Sequence, residues 1–168
     1  LIEHIVAGYH DTIRLTLPDL EQLTDVIARQ DGVPLAVRER LESELTELTD
    51  LLERHVAEQE GWVFPLIRHI KDVTDETEWD YVVGDSLHWL MDRAGNEDAE
   101  LLDRAEQVAV LLRDVAVSRT DSIVPDLIER VQVLCRDLPN HAHLEAQVLF
   151  PWVEELIKEE GLVCNELW

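Results

Sequence analysis

Residues Asn140 to Trp152 read NHAHLEAQVLFPW, and residues His55 to Pro65 read HVAEQEGWVFP. In the later stretch Glu145 follows His141 by four residues, which on a helix puts both side chains on one face. Gln59 follows His55 at the same offset. Each stretch then closes on a Phe-Pro pair, Phe64-Pro65 and Phe150-Pro151, nine and ten residues past the His. Such a repeat predicts one helical hairpin built twice, each copy aiming a His and an amide or carboxylate oxygen at a shared centre.

Working outward, apolar residues recur at alternating steps of four and three, the pattern of a bundle seam. Helix one is expected from Ile2 to Gln30 with the seam Val6, His10, Ile13, Leu17, Leu20, Thr24, Ile27, a kink at Pro18 and a stop at Asp31-Gly32. Helix two opens near Pro34 and carries Leu41, Leu45, Leu48, Leu52, His55, Gln59, Trp62, Leu66. A turn is expected near Thr74 to Glu76. Helix three, from about Thr77, carries Tyr81, Gly84, His88, Met91, Gly95, Ala99, Leu102, Ala105, Ala109, Leu112, Ala116. Ser118 to Ser122 form the next turn. Helix four, from about Asp121, carries Val124, Leu127, Val131, Leu134, Leu138, His141, Glu145, Val148, Trp152, Leu156. The apolar tail Gly161 to Trp168 is expected to fold back over the bundle. Four long helices with short connections predict an all-α, up-down-up-down four-helix bundle with pseudo-twofold halves.

Every predicted helix places a polar residue in its seam: His10, His55 with Gln59, His88, and His141 with Glu145. Burying an unpartnered polar group costs ~1–3 kcal/mol, and an unpaired carboxylate more. Six such costs rival the ~5–15 kcal/mol that holds a domain together. A bound cation would satisfy them jointly. No Cys joins the set, so the donors are hard to intermediate; iron fits, with manganese or zinc as alternatives. At ~1.5 Å per residue His10 and His55 each lie ~33 Å from the Gly32 loop, so they share one level. His4, His69 and His143 are expected at the surface, and Trp62, Trp89 and Trp152 as apolar walls around the site.

Composition narrows the function. The chain has 168 residues, 46% of them apolar, with 6 Gly and 6 Pro, which suits one helical domain over residues 1–168. A net charge of −23 argues against nucleic acid and anionic membrane surfaces, which select clustered Lys and Arg. Cys135 and Cys164 form neither a CxxC unit nor a disulfide framework. No leader peptide or membrane-spanning run is expected, and a reduced, cytoplasmic setting is. The chain begins at Leu1 rather than Met, which leaves room for an upstream segment.

The stretches GYHDTIRLTLPDLEQL around His10, ERHVAEQEGWVFPLI around His55, SLHWL around His88 and NHAHLEAQVLFPWV around His141 together resemble the hemerythrin-like domain of the repair-of-iron-centres (ScdA-type) family. The resemblance implies a non-haem, dinuclear iron centre with His10, His55, His88, His141 and Glu145 as ligands. It also implies a role in repairing iron–sulfur clusters under nitrosative and oxidative stress, with NO, O2 or peroxide as the small ligand and an iron–sulfur protein as client. An iron-binding or repair protein is expected rather than an enzyme. Gln59 stands where the family has a bridging Glu; Glu58 and Asp92 are reserve ligands, and a single metal is the alternative. Asp31 stands where the family often has a His, but a straight helix puts it ~31 Å from His10. The family's small Cys-bearing N-terminal domain is not within these residues. True oxygen carriers of this fold show a His four residues after the third-helix His and an Asp five after the last; Asp92 and Ala146 stand there. Two other readings remain: an O2 or NO carrier or sensor, and a metal-free helical interaction module with a hydrogen-bonded polar core.

Overall fold

The computed structural model describes residues 1–29, 33–72, 81–115 and 123–159. Four long helices account for them. α1 is built from Ile2–Ile5, a π-helical turn Val6–His10, and Asp11–Ala28. α2 is built from Leu35–Glu58, a π-helical turn Gln59–Val63, and Phe64–Asp72. α3 is the uninterrupted helix Tyr81–Val115. α4 repeats the plan of α2 with Ile123–Leu144, a π-helical turn Glu145–Leu149, and Phe150–Glu159.

α1 packs on α2 and α4, and α3 packs on the same two. Neighbours in sequence are therefore neighbours in space and the ring closes between α4 and α1, as the bundle expectation required. Pro34 caps α2 from just outside, its carbonyl accepting from Val37 and Arg38. Helix Asp11–Ala28 continues through Pro18. The turns expected at Asp31-Gly32, Thr74 to Glu76 and Ser118 to Ser122 lie outside the described residues. So do the expected starts at Thr77 and Asp121, the tail Gly161 to Trp168, and Cys164.

The predicted seams of α2 and α4 hold up to the π-turns and then slip by one residue, and in α1 Thr16 and Leu23 are buried where Leu17 and Thr24 are expected. In α2, Leu41, Leu45, Leu48, Leu52, His55 and Gln59 are buried as expected, but beyond Gln59 the buried positions are Val63, Phe64, Ile67 and Ile70. In α4 the seam holds to Glu145 and continues as Leu149, Phe150, Val153 and Ile157. In α1 the residue buried before the turn is Ile5 rather than Val6. A π-turn inserts one residue without adding a turn, so every later inward position moves along by one. The amide of Phe64 bonds Gln59 O and that of Phe150 bonds Glu145 O, five residues back in each case. Pro65 and Pro151 come next, and having no N–H they cannot draw the chain back to α spacing there.

The slip removes Trp62 and Trp152 from the core, and Trp89 lies on the outer face of the uninterrupted α3. Trp62, Trp89 and Trp152 are 69%, 59% and 44% exposed, so they are not the walls of the site. Trp89 instead stacks under the Arg93 guanidinium, 5.5 Å from its ring centroid.

Two apolar clusters fill the bundle. The larger runs from Ile13, Leu20 and Ile27 across Leu41 to Val56, Leu101 to Val115 and Val124 to Leu138. The smaller gathers Ile5, Phe64, Ile67, Leu87, Met91, Leu149 and Val153 toward the opposite end. Between them lies a layer of buried polar side chains.

Leu52→Ala, at a fully buried position, is expected to lower stability by ~2–5 kcal/mol in urea unfolding. Trp62→Ala is expected to change it by no more than ~0.5 kcal/mol. Comparable losses from both would mean the seam had not slipped.

Candidate metal centre

Six side chains form the polar layer: His10, His55, Gln59, Asp98, His141 and Glu145, none more than 5% exposed. His10 ends the π-turn of α1, Gln59 begins that of α2, and Glu145 begins that of α4. His55 and His141 stand one α-turn before them.

The three imidazoles meet edge to face. Ring centroids are 5.7 Å apart for His10 and His55, 5.1 Å for His10 and His141, and 5.0 Å for His55 and His141. His55 Nε2 and His141 Nε2 lie 2.8 Å apart, and His141 Nε2 lies 3.4 Å from Glu145 Oε1. One donor atom from each of His10, His55, His141 and Glu145 falls within 4.8 Å of all the others.

Outer contacts orient the inner ones. Glu60 Oε1 accepts from His10 Nδ1 at 2.8 Å, which leaves His10 Nε2 with its lone pair free to face inward. Glu60 is itself clamped by Arg14 at 2.6 Å, and Arg14 also reaches Asp11 at 2.9 Å. Burial pushes the Glu60 carboxyl up, but Arg14 and His10 outweigh it and hold the carboxyl below its usual range. Gln59 Nε2 donates to Glu145 Oε2. Asp98 Oδ1 stands 3.5 Å from His55 Nδ1. Phe64 stacks on His10, and Tyr9 lies tilted against His141.

The layer leaves an unusual number of buried atoms without a hydrogen bond: His10 Nε2, His55 Nδ1, His141 Nδ1, Gln59 Oε1, Glu145 Oε1 and both oxygens of Asp98. Buried polar atoms are nearly always paired, so this many unpaired atoms in one layer is a cost, and a cation among His10 Nε2, Glu145 Oε1 and the facing Nε2 atoms of His55 and His141 would relieve part of it. Three imidazole nitrogens with carboxylate and amide oxygens suit iron, manganese or zinc. The residues present therefore fit a divalent transition metal.

The ionisation states agree. Burial lowers the pKa of His10, and lowers that of His55 well below its ordinary value with help from His141 and His10. Burial brings His141 down to about 3, with His10 adding to it. The imidazoles are thus neutral near pH 7, the form that binds metal. Burial raises Asp98 to about 7, and burial with the Asp98 charge raises Glu145 well above the carboxylate range. The metal-free layer thus holds its charge down by keeping carboxyl protons that a cation would displace.

His10, His55, Gln59, His141 and Glu145 are brought together. His88 is not. It lies on the exposed face of α3, and Leu87 takes the buried place beside it. The buried stripe of α3 runs Leu87, Met91, Ala94, Asp98, Leu101, Ala105, Val108, Leu112, one residue ahead of the expected seam at most positions. Leu87, Ala94 and Val108 offer more apolar area than His88, Gly95 and Ala109, while Leu101 and Leu102 are equal, which decides the phase. Asp98 is the site residue this correction uncovers. Its signal was the alternative phase, whose apolar residues are larger. The reserve candidates also fall away from the layer: Asp92 is exposed on the outer face of α3, and Glu58 is ion-paired with Arg93. His4, His69 and His143 are exposed as expected.

A helical bundle whose core converges imidazoles and a carboxylate on one point defines a cation-binding bundle protein. The family model described as the Hemerythrin HHE cation binding domain matches residues 1–153, and the chain belongs to that family. Relatives include the iron-sulfur cluster repair protein YtfE of Yersinia pestis (strain Pestoides F) and that of Yersinia pseudotuberculosis serotype O:1b (strain IP 31758). Each is 24% identical over 160 residues, which covers 90% of this chain and 63% of the relative. The chain thus spans less than two thirds of the length of these relatives. No solved structure matches it significantly.

Glu60→Gln keeps the shape but not the charge that fixes the His10 tautomer; metal affinity is expected to fall ~10–100-fold by competition with a chelating dye. Metal binding should also release protons. Because Asp98 and Glu145 are raised, the metal competes with their protons, and affinity is expected to weaken as pH falls below about 7. Calorimetry in buffers of different ionisation enthalpy measures the release, which Glu145→Gln should reduce.

Proposed function

We propose that this chain is a non-haem iron protein of the iron-centre-repair type, acting in the cytoplasm on iron–sulfur proteins damaged by NO or peroxide. The observation that carries the reading is the meeting of His10, His55, His141 and Glu145 within 4.8 Å in a layer sealed by apolar clusters on both sides. Membership of a cation-binding family supports the metal, and the relatives named as iron–sulfur cluster repair proteins support the role.

The chain's own residues perform definite tasks here. Glu60 and Arg14 hold the His10 ring with Nε2 turned inward. Gln59 holds one Glu145 oxygen and leaves the other unpaired. Phe64, Leu87 and Leu149 keep bulk water from one side, and Leu52 and Leu138 from the other. When bound, iron supplies a redox-active Lewis acid with coordination positions open to NO, O2 or peroxide. A narrow crevice lined by Gly8, Tyr9, Thr12, Asp137 and Leu138 runs between α1 and α4 to His141. No described helix is long and apolar enough to cross a membrane.

The protein should carry iron when purified from iron-replete cells and should restore an NO-damaged iron–sulfur dehydratase. His55→Leu and His141→Leu are expected to abolish iron uptake while keeping helix content, and to leave the metal-free fold as stable or more so, since each removes a costly buried polar group. A colourless protein that ignores added Fe(II) sinks the iron reading. A loaded protein that binds NO reversibly but repairs nothing would leave a carrier or sensor in its place.

A further inference from the structure

Two metal ions held side by side, ~3.5–4 Å apart, repel strongly and need anionic oxygens between them. A carboxylate that bridges with one oxygen on each ion spends both oxygens on metal. Glu145 is the one carboxylate within the donor cluster, and its Oε2 already accepts from Gln59 Nε2. Only Oε1, 3.4 Å from His141 Nε2, remains unpaired. The position that mirrors Glu145 in the repeat is Gln59, which is neutral and turned toward Glu145 as a donor.

The spacing of the nitrogens points the same way. His55 Nε2 and His141 Nε2 at 2.8 Å are as close as neighbouring ligands on a single ion, given metal–nitrogen bonds of ~2.0–2.1 Å. A spread of 4.8 Å across all four donors is about the width of one coordination sphere.

Charge balance agrees. Glu145 and Asp98 together offset one dication. Among the described residues the other buried acid is Glu44, and it is ion-paired with Arg104 at 2.8 Å. A second dication in this layer would go unneutralised in a dry core.

We infer that the layer holds one divalent cation and not two, ligated by His10, His55, His141 and Glu145, and that Gln59 sets the limit. This rests on the iron-binding reading above and departs from the dinuclear centre that family resemblance implies. Asp98 then acts from behind His55, where a carboxylate receives the Nδ1 proton and strengthens the ring as a ligand.

The full chain, stripped of metal, is reconstituted anaerobically with ferrous salt. Iron is counted against protein after desalting, and the oxidised protein is read by electron paramagnetic resonance. One iron per chain with an isolated high-spin ferric signal is expected for the wild type. Gln59→Glu is expected to double the uptake and to lose that signal as the two ions couple. Two irons per chain in the wild type, without an isolated ferric signal, overturn the inference and leave the iron reading standing. No uptake by the wild type overturns both. One iron in both proteins, with Gln59→Glu folded by circular dichroism, removes Gln59 as the limiting residue. If Gln59→Glu does not fold, the wild-type count and signal still decide between one ion and two.

Discussion

The bundle is organised around a cost. Imidazole, amide and carboxyl groups occupy a full cross-section of the core where apolar side chains would otherwise meet, and they split it into two clusters. Seven of their atoms find no hydrogen bond within the protein. At ~1–3 kcal/mol for each unsatisfied group, the layer opposes folding by an amount comparable to the ~5–15 kcal/mol of a typical domain. The metal-free chain limits this cost by holding the layer's histidines neutral and the Glu145 carboxyl protonated. Those protonation states lower the charge but leave atoms such as His10 Nε2 and Glu145 Oε1 without a partner. A cation among the four clustered donors would match these, so features that weaken the fold are ones suited to binding.

The π-turns are how the helices deliver these groups without losing their apolar seams. Each of the three abuts the layer, and none occurs elsewhere among the described residues. A helix that stayed α throughout would present Trp62 and Leu66 after Gln59, or Val148 and Trp152 after Glu145. The extra residue instead brings Phe64 and Phe150 inward, five positions after Gln59 and Glu145. Phe64 then stacks on His10, so the same distortion that repairs the seam also walls the site. π-turns are often found at functional sites, and here the reason is visible in the register.

Much of this was legible in the sequence because alternating steps of four and three are a strong signal over long helices. The bundle, the helix order and the meeting of His10, His55, Gln59, His141 and Glu145 followed from it. What failed was phase. Periodicity read at a fixed step cannot register an inserted residue, so beyond Gln59 and Glu145 it points Trp62 and Trp152 inward where Val63 and Val153 are buried. On α3 the fault was different. Two adjacent phases share Met91, Ala105 and Leu112, and the presence of His88 favoured the wrong one. Weighing apolar area along each phase selects Leu87, Ala94 and Val108, and with them Asp98. Imidazole in an apolar seam is conspicuous in a sequence. An aspartate in a strongly acidic chain is not.

The halves of the bundle are alike in plan and unlike in charge. Each gives one inward polar residue from its first helix and two from its second. The first half supplies His10, His55 and Gln59, all neutral; the second supplies His141 with Asp98 and Glu145, the only acids in the layer. The first half does carry a carboxylate next to Gln59, but Glu60 stands outside the donor cluster, paired with Arg14 and His10. In the second copy Ala146 occupies the corresponding place, so α4 offers α3 no such strut. A twofold arrangement of donors would support a symmetric pair of ions. Here anionic charge lies on α3 and α4 while orientation is imposed from α1 and α2, an asymmetry that favours one ion served by both halves.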